Sequence, residues 1–136
     1  MIPFDRFVGL PYADRGRDRA GVDCYGLLRL VYLEALGIEL PCHAEDYVTA
    51  VDRREIASLI AGELDPWHRV EEVDARPGDA LLMRNGRLAS HVGVVAPRRR
   101  VLHIEASGMT SRLEAYDGGT LAARKVAFYR YRAGVA

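Results

Sequence analysis

Early in the chain, Leu27, Leu28, Leu30, Val31, Leu33 and Leu36 recur at helical spacing, and Gly37 follows as a stop signal. The pattern predicts a mostly buried helix that begins at or next to Cys24. A second helical stretch, about Glu45 to Leu64, places Val48, Val51, Ile56, Leu59 and Ile60 on one side, with a break near Asp52 and an end at Asp65-Pro66. After Trp67 the period shortens. His68–Val73, Asp79–Arg84, His91–Ala96, Arg100–Ala106 and Lys125–Arg132 read as short strands of a meander. Pro77-Gly78, Asn85-Gly86, Pro97 with the following three arginines, and Gly118-Gly119 mark the connections, and Asn85-Gly86 is the strongest hairpin signal. Helices first and strands afterwards predict an α+β fold, with N-terminal helices packed on one face of an antiparallel sheet of about five to six strands.

With 136 residues, 49% of them hydrophobic, the chain has material for one core, so residues 1–136 are read as a single domain. Lys plus Arg and Asp plus Glu balance at 19 each, which removes the net field that would draw the protein to nucleic acid or an anionic membrane. The N-terminal residues show no basic run followed by an apolar segment, and no window approaches the length of a membrane span; the expectation is a protein made in the cytoplasm without a signal peptide and without stable membrane association. Two cysteines, Cys24 and Cys42, are too few for a disulfide framework and point to a reduced compartment or a reactive thiol.

Cys24 follows Gly21-Val22-Asp23 and opens an apolar helix, where unsatisfied backbone N–H groups and the helix dipole favour an anion. Such a thiol has a reason to ionise below its free pKa of about 8.5. The plainer reading is a small buried core residue. A thiol nucleophile needs a base, and the base needs an orienting group. His91 opens the run Val92 to Val95, and His103 lies in the next run; on neighbouring antiparallel strands both imidazoles can share one face. Two unrelated strand histidines would be the plainer reading of this pair.

Zinc is the competing chemistry, with Cys24, Cys42, His43, His91 and His103 as conceivable ligands, but the spacing matches no metal motif, so no metal and no organic cofactor is expected. Cys42 reads as structural and His68 as a surface residue. Arg98, Arg99 and Arg100 read as a solvated hairpin tip, and Arg15, Arg17 and Arg19, interleaved with Asp14 and Asp18, as a polar loop that could rim a groove near Cys24.

At this point three segments meet a known pattern. The stretch from Pro11 to Tyr32, with Asp23-Cys24, resembles the nucleophile motif of the NlpC-type cell-wall peptidases, a papain-like family; Arg76 to Val95, with Gly78-Asp79 and Ser90-His91-Val92-Gly93, resembles its second motif, and Arg100 to Gly108 its third. The resemblance spans roughly Phe7 to Arg132. It implies a papain-like α+β fold and a cysteine peptidase acting on amide bonds of peptidoglycan stem peptides, with Cys24 as nucleophile, His91 as base and His103 as its orienting group. It further implies that the Tyr12 hydroxyl helps hold the oxyanion, that Asp23 contacts a free amino group of the substrate or caps the helix, and that Ser90 and Tyr25 lie by the substrate. Tyr25 stands where many secreted members have serine, which leaves the specificity open.

The short form of the domain resembles members encoded with phage or gene-transfer-agent tail genes. That likeness implies other tail or hub proteins as partners and incorporation into a virion or tail-like particle that acts on a recipient cell wall. The rival readings are a non-catalytic structural tail-hub protein and a papain-like amidase or acyltransferase acting on another substrate.

Overall fold

A computed structural model describes residues 1–42 and 67–132. The predicted helix at 45–64 and His43 lie outside the described residues. Asp23 begins the helix: its side chain accepts a hydrogen bond from the Gly26 N–H at 2.8 Å, satisfying one of the free donors of the first turn. Helix α1 spans Cys24–Val31 and buries every residue but Arg29. It continues as one π turn over Tyr32–Leu36 and stops where Gly37 adopts the left-handed conformation, φ 69°. The wider turn takes Leu33 and Leu36 off the buried face, and both are exposed, contrary to the simple helical reading.

Before α1, a two-stranded ribbon, β1 (Arg17–Asp18) and β2 (Gly21–Val22), leads into Asp23. A β-carbon on Gly26 would lie 1.9 Å from the Gly16 carbonyl oxygen, so the loop carrying β1 sits directly on the first turn of α1. This approach was not read from the sequence.

The main sheet holds β3 (Trp67–Val70), β4 (Ala80–Asn85), β5 (Leu88–Ala96), β6 (Arg100–His103), β7 (Arg112–Ala115) and β8 (Lys125–Tyr131), all antiparallel, in the order β3-β8-β4-β5-β6-β7. Strands β4 to β6 form the expected meander, and β7 extends it. The last strand departs from it by inserting between β3 and β4, where Phe128 and Ala127 pair with Leu81 and Leu82. The run from His68 ends as a strand at Val70 and turns into a 3₁₀ turn at Glu72–Asp74; the run from Arg100 ends at His103; and β7 was not anticipated.

One face of the sheet, with Leu82, Val92, Val94 and Leu102, packs on Leu27, Leu30 and Val31 of α1. The other, with Leu81, Met83, Val95, Val101 and Phe128, is covered by Tyr116 and Leu121. Burial on both faces explains why Val92–Ala96 is apolar without alternation. The β4–β5 hairpin turns through Gly86, φ 67°, next to the predicted Asn85. At the β5–β6 tip Ala96 pairs with Arg100, and Arg98 and Arg99 both adopt positive φ, 65° and 54°. Among the described residues, no helix is long and apolar enough to cross a membrane.

Candidate active site

Strand β5 pairs with β4 through His91 and Met83, but its pairing with β6 covers Val94 to Ala96. The β6-facing edge at Ser90–Val92 is therefore open to another partner, and the N-terminus of α1 supplies it. The Cys24 thiol lies 3.9 Å from the Ser90 carbonyl oxygen, to which it donates, and accepts from the Val92 N–H, so the sulfur is held by the two peptide groups that flank His91.

His91 and His103 are brought together as expected. Their rings meet edge to face, with His91 Nε2 2.9 Å from His103 Nδ1. Gly93 makes this possible: it lies on β5 two residues beyond His91, and a β-carbon there would fall 2.5 Å from Val101 Cγ2, 2.9 Å from the Leu102 oxygen and 3.1 Å from His103 Cβ. His103 Nε2 in turn lies 3.0 Å from Glu114 Oε1 on β7. An ionised carboxylate only accepts, so Glu114 fixes the proton of neutral His103 on Nε2; Nδ1 is then an acceptor, and His91 donates to it from Nε2. The unprotonated ring nitrogen of neutral His91 is then Nδ1.

Burial holds His103 below the usual histidine pKa, against the Glu114 hydrogen bond and the charges of Glu105 and Glu114, so it is neutral near pH 7. The Cys24 thiol departs from expectation. Burial, reinforced by the Asp23 carboxylate, pushes its pKa up to about 12, outweighing the Val92 and Tyr25 N–H groups and Arg17. The helix terminus does aim donors at the sulfur, but a site 6% exposed with a carboxylate beside it favours the neutral thiol.

Tyr12 lies close by, bridged through its backbone to Val22. Its hydroxyl donates to Asp14 Oδ1 at 3.0 Å, and burial, that bond and the nearby acidic groups raise its pKa well above the usual tyrosine value. Asp23 is fully buried: besides capping α1, it pairs with Arg17 at 2.9 Å and accepts from the Arg15 N–H. Tyr25 is buried too, its hydroxyl donating to the Pro41 carbonyl and its ring lying under the Arg17 guanidinium. Both side chains face inward. Ser90, whose carbonyl the Cys24 thiol meets, is 3% exposed, and its hydroxyl has no hydrogen-bond partner among the described residues. Cys42 is an exposed free thiol, with its carbonyl held by Arg17.

Three charged residues of the site, Glu105, Arg124 and Glu114, escaped the sequence reading, while Arg17 was read only as part of a polar loop. Glu105 Oε1 lies 3.2 Å from His91 Nε2, and Arg124 grips both Glu105 oxygens at 2.9 and 3.0 Å. Glu114 closes the histidine line, and Arg17 neutralises Asp23. Alternation offered a signal: Glu105 stands two residues beyond His103 and Glu114 two beyond Arg112, on common faces of extended backbone. His91, His103 and Glu105 offer ligand atoms within 4.8 Å of one another, but the Arg124 cation on both carboxylate oxygens opposes a divalent ion there.

The sequence pattern of the NlpC/P60 family matches residues 9–130. Among solved structures, the NlpC/P60 domain of the peptidoglycan hydrolase SagA is 19% identical with a TM-score of 0.62, covering 93% of this chain and 91% of that one. An NLP/P60 family protein similar to lipoprotein from Staphylococcus aureus is 20% identical with a TM-score of 0.66 over 96% of this chain, and NlpC1 from Trichomonas vaginalis 18% identical with a TM-score of 0.68 over 93%. The chain spans 40% and 41% of the length of those two proteins. At these identities the likeness is one of fold. No curated protein sequence matches the chain.

Proposed function

The chain belongs to the NlpC/P60 family, and from that premise we propose that it is a cysteine peptidase that hydrolyses amide bonds in peptidoglycan stem peptides. The observation that carries the reading is the continuous line from Glu114 through His103 to His91 Nε2, with the Cys24 sulfur held by the peptide groups on either side of His91. A peptidoglycan hydrolase among the structural neighbours supports the substrate class.

In this reading the resting thiol is neutral, so its proton leaves during attack. The Sγ–H proton moves to His91 Nδ1 as sulfur bonds to the stem-peptide carbonyl carbon. The proton then passes to the departing nitrogen, the C–N bond breaks, and a thioester remains. Water attacks the thioester, giving its proton to His91; the C–S bond breaks and Cys24 is reprotonated. The Cys24 backbone N–H is one candidate donor to the oxyanion, each such donor being worth roughly 3 kcal/mol. The Tyr12 hydroxyl is the other once it exchanges Asp14 for substrate. The orphaned Ser90 hydroxyl is a ready contact for a polar group of the stem. Asp23 and Tyr25 act from behind, shaping the wall through Arg17.

The test is incubation of the protein with purified peptidoglycan, followed by mass analysis of the released muropeptides. New free amino groups at one amide bond, absent with Cys24→Ala, are expected; products joined to an added amine would instead indicate acyl transfer. The wider setting, a phage-like or gene-transfer-agent tail tip with tail or hub proteins as partners, is proposed from the sequence resemblance. Purified particles should then contain this chain.

A further inference from the structure

The mechanism leaves the carboxylate beside His91 without a task. Glu105 follows β6, with a side chain 22% exposed, and its Oε1 lies 3.2 Å from His91 Nε2, the atom that also meets His103 Nδ1 at 2.9 Å. Arg124 holds it by both oxygens. We propose that Glu105 is a positioning residue that stabilises the positive charge His91 acquires during the reaction, while neutral His103 sets the tautomer. The meaning of this division of labour rests on the peptidase reading, but its measurement needs no substrate.

The argument begins with what each neighbour can offer. When His91 Nδ1 takes the thiol proton, a cation forms on a ring that is 1% exposed. From α1, the Cys24 sulfur lies on the peptide groups either side of His91, and Asp23 beside it is already paired with Arg17. From β4 it meets Met83, which is uncharged. From β6 it meets His103, whose burial disfavours a charge of its own. Glu114 and Arg112 on β7 act across His103 and are bonded to each other at 3.2 Å. Glu105 is the carboxylate that touches the His91 ring directly in this set. Burial works against its ionisation, yet Arg124, His91 and His103 bring its pKa down to about 2, so the negative charge is in place before the proton moves. Arg124 also stops the carboxylate from turning to solvent, which keeps one oxygen on the Nε2 side of the ring.

The experiment is an NMR titration of the His91 imidazole in a Cys24→Ser background, with and without Glu105→Gln, paired with pH profiles of the Cys24 enzyme. A facing opposite charge moves a titration by roughly one to three pH units. In Glu105→Gln, His91 should titrate about one unit lower, and the acid limb of kcat/KM should follow it. The fall in kcat should be about tenfold, with KM within about twofold. Glu114→Gln should move His91 less. An unmoved His91 titration in folded Glu105→Gln, or an equal movement in Glu114→Gln, overturns the proposal; a merely structural role would lower the melting temperature and leave the titration in place. Should Glu105→Gln not fold, Glu105→Asp, which withdraws the charge by one methylene, should give an intermediate fall, and no movement there is equally fatal. If peptidoglycan is not cleaved, the titration still decides.

Discussion

Two histidines 2.9 Å apart are assigned different tasks in the proposed mechanism because their ring nitrogens meet different partners. His103 has Glu114 on Nε2 and lends Nδ1 to His91; it is a hydrogen-bond acceptor held in one orientation. Any side chain that still accepts from His91 should preserve part of the rate. His103→Asn or His103→Gln should therefore retain measurable hydrolysis, His103→Ala should lose more, and His91→Ala should lose most, because in the proposed mechanism only that change removes the base. The check is the initial rate on a stem-peptide substrate with folded variants, and His103→Ala at the wild-type rate would remove His103 from the mechanism. At this scale, residue identity was legible in the sequence and proton state was not. The position of Cys24 at a helix start was readable, but the pKa of its thiol depends on burial and on Asp23, which only the packed structure supplies.

The elements meet where side chains are missing. Gly93 on β5 leaves the space that Val101, the Leu102 carbonyl and the His103 stem fill. Gly93→Ala would push β6 outward by the width of a methyl group, straining a closely packed region by about 1–3 kcal/mol and lengthening the His91–His103 hydrogen bond. Denaturant unfolding should show the loss of stability, and kcat should fall by more than the folded fraction accounts for. A Gly93→Ala protein with wild-type kcat would mean that the interhistidine distance does not matter. Much of the element plan was legible: α1, β4, β5 and β8 announce themselves by apolar periodicity or by runs bounded with turns. Strand β7 does not, because Arg112–Ala115 contains no β-branched or aromatic residue and is a strand through its pairing with β6. The insertion of β8 beside β4 was equally hidden, since strand order depends on which faces remain to be covered.

For the whole molecule, the buried ionisable groups confine stability to a window of pH. His103 has a folded pKa below its usual value of about 6.5, so as pH falls past that point the unfolded chain gains a proton that the folded chain refuses, and stability drops. Glu105 has its folded value lowered to about 2 from 4.5; its contribution is complete above 4.5 and is lost as pH falls from there toward 2. The Cys24 thiol is raised from 9.0 to about 12, so its contribution is complete below 9 and is lost as pH rises beyond it. Thermal scans should give a plateau between about pH 6.5 and pH 9, and His103→Asn should flatten the first acid decline. A melting temperature that rises steadily down to pH 5 would contradict these burials.

The tip between β5 and β6 bears on all of this as a measuring device. Arg98 and Arg99 accept left-handed backbone that most residues avoid, and Ala96 pairs with Arg100 because the reversal is completed in that space. Successive strand residues point to opposite faces, so a loop one residue shorter or longer would shift the reading frame of β6 against β5. Leu102 would then turn toward His91 and His103 toward the helix side. The apolar runs would still find one another, and the molecule would remain a sheet covered by a helix, but the line from Glu114 through His103 to His91 would be written one letter out of step.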